Sequence, residues 1–136
     1  MIYTPIAGQW KELIIEPTLA ALGAKYASAM AVNLLLGTIA VESKFQMLAQ
    51  YPIGPARGYY QIEPFTCHDI VYRNLRRFAL LTDRQIEHLL VFDLEFQTQI
   101  ARLKYWDSPA PLPADPHNIA GLAHYWKKYY QAGGKK

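Results

Sequence analysis

One cysteine, Cys67, stands in a chain of 136 residues, so no intramolecular disulfide can form and the fold cannot lean on an oxidising compartment. Long apolar runs are also missing. The longest uncharged stretch, Tyr26 to Val41, is short for a membrane span and carries Ser28, Asn33 and Thr38, so it reads as a buried helix and no transmembrane segment is expected. His68, His88, His117 and His124 show no spacing of the His-Glu-x-x-His kind, so neither a metal nor another cofactor is expected. Gly54 to Gly58 is not followed by the Lys and Ser or Thr of a phosphate-binding loop. Met1 to Pro5 lacks the basic lead and apolar core of a secretory signal, so the expectation is that another component delivers the chain.

What is present describes a globular protein. Hydrophobic residues make up 51% and charged ones 18%, which excludes a disordered chain, and the length suits a single domain over residues 1–136. Ten tyrosines lift the aromatic share to 13%, which suits a sugar-binding cleft and equally suits a tyrosine-lined core. A net charge of +3 favours an anionic polymer, with cell wall, nucleic acid and acidic protein all open. The bunched Arg73, Arg76, Arg77 and Arg84 read as a solvated helix face.

The pattern predicts an all-α, mainly helical domain with at most a small β element. The segment to Trp10 reads as irregular, with a first helix from Pro17 to about Leu22, ended by Gly23. Ser28 caps a second helix to about Ser43 that is apolar nearly all round and so belongs at the centre. Pro52, Gly54, Pro55 and Gly58 predict a loop or small hairpin from Gln50 to Ile62. Helix resumes after Pro64, with Thr66 and Asp69 spaced as a capping box, and runs to about Arg77. Thr82 and Gln85 open the next by the same pattern. A further helix covers Leu94 to Trp106, and a proline-rich connector spans Asp107 to Pro116. The last helix is capped by Asp115 and runs to about Tyr130, with Gly133 and Gly134 ending it.

Glu42 stands out on physical grounds. It ends the apolar helix on the stripe of Leu35, Thr38 and Ile39. Desolvation and the negative end of the helix dipole both disfavour its carboxylate, which is what a general acid working near neutral pH requires. The same position is also compatible with a solvated carboxylate just past the buried turn. Cys67 beside His68 is no nucleophile pair, since neighbours on a helix point apart.

Leu36-Gly37-Thr38-Ile39-Ala40-Val41-Glu42-Ser43-Lys44-Phe45 resembles the catalytic Glu-Ser segment of the lytic transglycosylase and goose-type lysozyme families. Gly54-Pro55-Ala56-Arg57-Gly58-Tyr59-Tyr60-Gln61-Ile62 is similar to their second signature, and Ile119-Ala120-Gly121-Leu122-Ala123-His124-Tyr125 to their third. Gln61 to Pro64 and Tyr125 to Tyr130 look closer still to lysozyme-like proteins of tailed phages. The resemblance implies a lysozyme-like fold with a small β element in one wall of a cleft, acting on bacterial peptidoglycan between N-acetylmuramic acid and N-acetylglucosamine. It implies Glu42 as the catalytic acid, with Ser43, Gly58, Tyr59, Tyr60, Gln61 and Tyr125 at the substrate. Ser43 and Gln61 would bond the sugar, Tyr59, Tyr60 and Tyr125 would line the groove, and Tyr125 would hold Glu42 or touch substrate. In the family's pattern Asn follows that Tyr, whereas here Trp126 does; Tyr129-Tyr130-Gln131 is the other candidate for that part.

Glycosidases with such an acid usually use a second carboxylate, yet no Asp or Glu lies between Glu42 and Gln61, and Glu63 adjoins Pro64. This favours a lytic transglycosylase, which needs no water, over a hydrolase. The phage likeness points to a virion or to the host periplasm after delivery, with other virion proteins as partners. Two other readings stay open. One is a virion or tail module that keeps the fold without catalysis. The other is a nucleic-acid-binding helical domain presenting Gln97, Gln99, Arg102 and Lys104, with Arg73, Arg76 and Arg77 on phosphates. Asp83, Glu87, Asp93 and Glu95 in the same segment weigh against it, so no nucleic-acid partner is expected.

Overall fold

The computed structural model describes residues 4–46, 48, 49 and 53–131. Among these the chain is all-α in character. Its β structure is confined to two isolated antiparallel bridges, Ala49 with Arg57 and Arg57 with Ile62. Gln50 to Pro52 of the expected hairpin, and Gly133 and Gly134, lie outside the described residues.

The first helical run begins earlier than the sequence pattern suggests. α1 (Thr4–Gln9), a π-helical stretch (Trp10–Ile15) and α2 (Glu16–Leu22) follow without a break, so the segment before Trp10 is helical and Pro17 sits inside the run. Trp10, Ile15 and Leu19 are all buried. The step from Trp10 to Ile15 is out of phase with an α-helical turn, and the wider i→i+5 turn brings both onto one face.

α3 (Ala29–Glu42) starts where Ser28 Oγ accepts from the Ala31 amide at 3.1 Å. Leu34, Leu35, Thr38 and Ile39 are buried along it. At its end the Ser43 and Lys44 amides both donate to the Ile39 carbonyl at 3.0 Å. Lys44 (φ 53) and Phe45 (φ 59) then take left-handed conformations. For residues with a Cβ each costs about 1–2 kcal/mol, so the sharp exit after Glu42 is held by its surroundings.

α4 (Pro64–Asn74) follows Glu63 with no side-chain cap. The expected box of Thr66 and Asp69 does not form, because Pro64 already opens the helix two residues earlier and Asp69 is drawn to Arg73 at 2.8 Å. α5 (Asp83–Phe92) does carry its capping box, with Gln85 N to Thr82 Oγ1 at 3.2 Å and Thr82 N to Gln85 Oε1 at 2.9 Å.

α6 (Leu94–Trp106), capped by Asp93, is the hub, packing against α2, α3, α4, α5 and both π stretches. A run of its polar residues faces inward, although Glu95 is exposed. Gln97, Gln99 and Arg102 are buried, which corrects the picture of an exposed recognition face. Each of two meets a distant backbone group: Arg102 Nε donates to the Tyr26 carbonyl at 2.8 Å, and Gln97 Oε1 accepts from the Tyr59 amide at 2.9 Å. Arg73 is likewise bound to Asp69 and Asp107, whose carboxylates push its pKa up, Asp107 foremost.

α7 (Ile119–Tyr125) starts later than expected, because Asn118 and not Asp115 caps it, accepting from the Gly121 amide at 2.9 Å. Asp115 instead accepts from the His117 amide. A second π-helical stretch (Trp126–Gln131) follows. No described helix is long and apolar enough to cross a membrane.

Candidate active site

Glu42 is the last residue of α3 and is half-buried. The indole Nε1 of Trp126, the first residue of the second π stretch, donates to its Oε2 at 2.9 Å. One turn back on α3, Thr38 Oγ1 donates to the Leu34 carbonyl and accepts from Tyr105 Oη at 2.7 Å. The Tyr105 ring stacks on Tyr130 with centroids 4.9 Å apart, and Tyr130 Oη donates to the Tyr60 carbonyl at 2.6 Å. Tyr60 Oη in turn reaches Thr98 Oγ1 at 3.0 Å. A column of buried tyrosines thus ties α3, α6, the loop at residue 60 and the π stretch together. Burial pushes all three phenols well above their ordinary pKa, and the charge of Glu42 adds to this at Tyr105 and Tyr130.

The loop before α4 is fixed by a close approach. Gly58 has φ 78, and a Cβ there would lie 2.1 Å from the Leu90 carbonyl oxygen and 2.6 Å from Gln97 Oε1. Only glycine fits. Arg57 and Ile62 exchange two backbone hydrogen bonds at 2.9 and 3.0 Å around this turn. Gln61 takes φ 52, and its Nε2 donates to the Gly58 carbonyl at 2.8 Å.

Several expected substrate contacts are directed elsewhere. Ser43 is wholly buried and its Oγ donates back to the Ile39 carbonyl at 3.2 Å, because the αL exit turns it under the helix end. Tyr60 is wholly buried too, so it belongs to the column and not to a groove wall. Tyr125 is 5% exposed. Its hydroxyl accepts from Ser108 Oγ and donates to the Ala110 carbonyl, so its polar end serves the connector and not Glu42. Gln61 and Tyr59 keep partial exposure, with the Tyr59 ring edge-on to Trp10 at 5.1 Å. Sequence reasoning missed Trp126 as a donor to Glu42. The signal was an indole N–H, which needs an acceptor when half-buried.

Next to this site a groove of about 760 Å³ separates α3 from α7. Gly37, Ala40, Val41 and Phe45 line one side, and Ile119, Ala123, Trp126 and Lys127 the other. Several carboxylates elsewhere have partners of their own: Glu87 pairs with Arg57 at 3.0 Å, Asp69 and Asp107 with Arg73, Asp83 with His68, and Asp93 with the Phe96 amide. Among the described residues no group of His, Cys, Asp and Glu is arranged to hold a metal ion. Cys67 is buried, which pushes its thiol up to about 12.

In comparisons with known proteins, no family model, no curated protein and no solved structure matches this chain.

Proposed function

We propose that this chain has a lysozyme-like fold and cleaves the β-1,4 bond between N-acetylmuramic acid and N-acetylglucosamine in bacterial peptidoglycan, with Glu42 as the catalytic acid. The observation that carries the reading is a half-buried carboxylate at the end of a buried helix, held by an indole N–H over a floor of protonated tyrosines. It stands in segments that resemble the lytic transglycosylases. In this chemistry Glu42 gives its proton to the leaving oxygen while the substrate's N-acetyl carbonyl bonds to the anomeric carbon. The Glu42 carboxylate then takes the proton of the muramic acid 6-hydroxyl, whose oxygen displaces the carbonyl and closes a 1,6-anhydro ring. No water is consumed. That Asp and Glu are missing between Glu42 and Gln61, and that the carboxylates named above are paired elsewhere, supports this route over hydrolysis.

Mass spectrometry of digested peptidoglycan tests the reading. Muropeptides one water lighter than hydrolysis products are expected, and Glu42→Gln should yield about 10²-fold less of them, or lower still. Reducing-end muramic acid alone would replace the transglycosylase with a hydrolase. A second reading is a virion module that keeps the fold without catalysis. It is favoured by the inward commitment of the Ser43, Tyr60 and Tyr125 hydroxyls. Intact walls after prolonged incubation with the folded protein would select it. Delivery in a virion or by a separate partner into the periplasm belongs to the same proposal, and mass spectrometry of purified particles checks it.

A further inference from the structure

We propose that the pocket between the start of α3 and the connector after α6 binds a small organic carboxylate, held end-on by the two Nη groups of Arg102. The site lies at the opposite end of α3 from Glu42, about 20 Å away along a helix of 14 residues, and does not depend on how Glu42 is read.

A guanidinium carries five N–H donors. Arg102 is 4% exposed, and one of the five, that on Nε, goes to the Tyr26 carbonyl at 2.8 Å. Neither Nη makes a hydrogen bond, and no carboxylate among the described residues pairs with this side chain. Neither Nη is wholly enclosed, so the fork stays open to the pocket that Arg102 lines. A cation buried this deeply without a counter-ion is costly, and burial pulls its pKa below the ordinary value. Aromatic faces offset part of that cost. The guanidinium carbon lies 5.8 Å from the Tyr26 ring centroid and 5.4 Å from that of Trp106. Lys25 Nζ lies 5.2 and 5.3 Å from the same two rings and lines the same pocket. Two cations thus share one pair of rings, and an anion between them would relieve their repulsion.

The pocket measures about 540 Å³, far more than an inorganic ion fills and ordinary for a small organic molecule. Among the described residues that line it there is no Asp or Glu. Asp107, although it follows Trp106 directly, is turned to Arg73 at 2.7 Å. Ser28 Oγ accepts from the Ala31 amide, which leaves its own proton for a ligand, and it marks the positive end of α3. Pro109, Pro111 and Leu112 make an apolar wall that the prolines stiffen. These features favour a carboxylate over a phosphate. Two carboxylate oxygens match two Nη donors, and one negative charge neutralises the one buried cation. An apolar body attached to the carboxylate suits the proline wall, against which the second charge of a phosphate would be poorly solvated.

The test titrates the full chain, labelled with nitrogen-15, with sodium N-acetylalaninate and with its neutral methyl amide. The Arg102 Nε–H and Trp106 indole signals are followed by NMR. The carboxylate should shift both saturably, with a dissociation constant of about 1 mM or tighter, and the amide should shift neither. Arg102→Lys keeps a cation but loses the fork, so it should weaken binding about tenfold or more. Lys25→Ala changes an exposed residue, so it should melt like the parent and weaken binding about threefold, which keeps the test decisive if Arg102→Lys does not fold. An Arg102 that serves only to anchor Tyr26 would give no saturable shift, and that result overturns the proposal. So do equal shifts from the amide, tighter binding of inorganic phosphate than of the carboxylate, or undiminished affinity in both folded variants.

Discussion

Two glycine-to-alanine substitutions should move stability in opposite directions. At Gly58 the added methyl group meets the Leu90 carbonyl oxygen at 2.1 Å and Gln97 Oε1 at 2.6 Å, with φ at 78. A left-handed alanine alone costs about 1–2 kcal/mol. Relieving the clash means moving backbone, since one of the atoms met is a carbonyl of α5. The turn is also held by Gly58 N to the Leu48 carbonyl at 2.7 Å and Tyr59 N to Gln97 Oε1 at 2.9 Å, each contributing about 1 kcal/mol. Gly58→Ala should therefore cost about 3–4 kcal/mol, a large part of the 5–15 kcal/mol that typically holds a domain. At Gly37, in the middle of α3, nothing lies within 4 Å of the added atom. Gly37→Ala should instead stabilise the helix by up to about 1 kcal/mol. Urea melts of both variants read this directly, and thermal midpoints should separate by roughly 10–20 °C. Equal shifts of the same sign would refute the reasoning, because they would mean that neither the close approach at Gly58 nor the open space at Gly37 exists.

Glu42→Gln should leave the melt close to the parent's and lower wall cleavage by about 10²-fold or more, because Gln cannot donate the acid proton; turbidity loss on purified walls measures it. Tyr60, Tyr105 and Tyr130 have folded pKa values above the unfolded one of about 10. Between the two values the native state binds more protons, so their stabilisation is complete below about pH 10 and falls above it, by about 1.4 kcal/mol per pH unit for each phenol. Denaturation midpoints from pH 8 to 11 should show a steep loss only beyond pH 10, and a flat profile would count against the buried column. Cys67, buried with its thiol raised to about 12, should react with thiol reagents only as fast as the protein opens. Rapid labelling of native protein would contradict its burial.

The elements legible in the sequence were those whose signals are local. Ser28 and Thr82 mark their helix starts through bonds to amides three residues on, and the all-round apolar pattern of α3 announces its central place. The first helical run was hidden by a π turn, which displaces the apolar spacing between Trp10 and Ile15, and Pro17 then looked like a start. The inward polar face of α6 was illegible for another reason. The groups that satisfy Arg102 and Gln97 belong to Tyr26 and Tyr59, far away along the chain, so composition alone read as solvent-facing. At the site, the position of Glu42 at the end of a buried helix was legible from periodicity. The directions of the Ser43, Tyr60 and Tyr125 hydroxyls depend on tertiary neighbours and were not.

Two of the bonds that assemble the site are made with the last described turn. Trp126 reaches back 84 residues to Glu42, and Tyr130 reaches back 70 to the Tyr60 carbonyl. Contacts of such separation form late, since the chain between must first be brought together. During synthesis, a ribosome-bound chain whose second π stretch is still in the exit tunnel has α3 and its carboxylate but neither the indole nor the phenol that frames it. Local helices can be in place well before that point, so a nascent chain would gain secondary structure first and its framed carboxylate later.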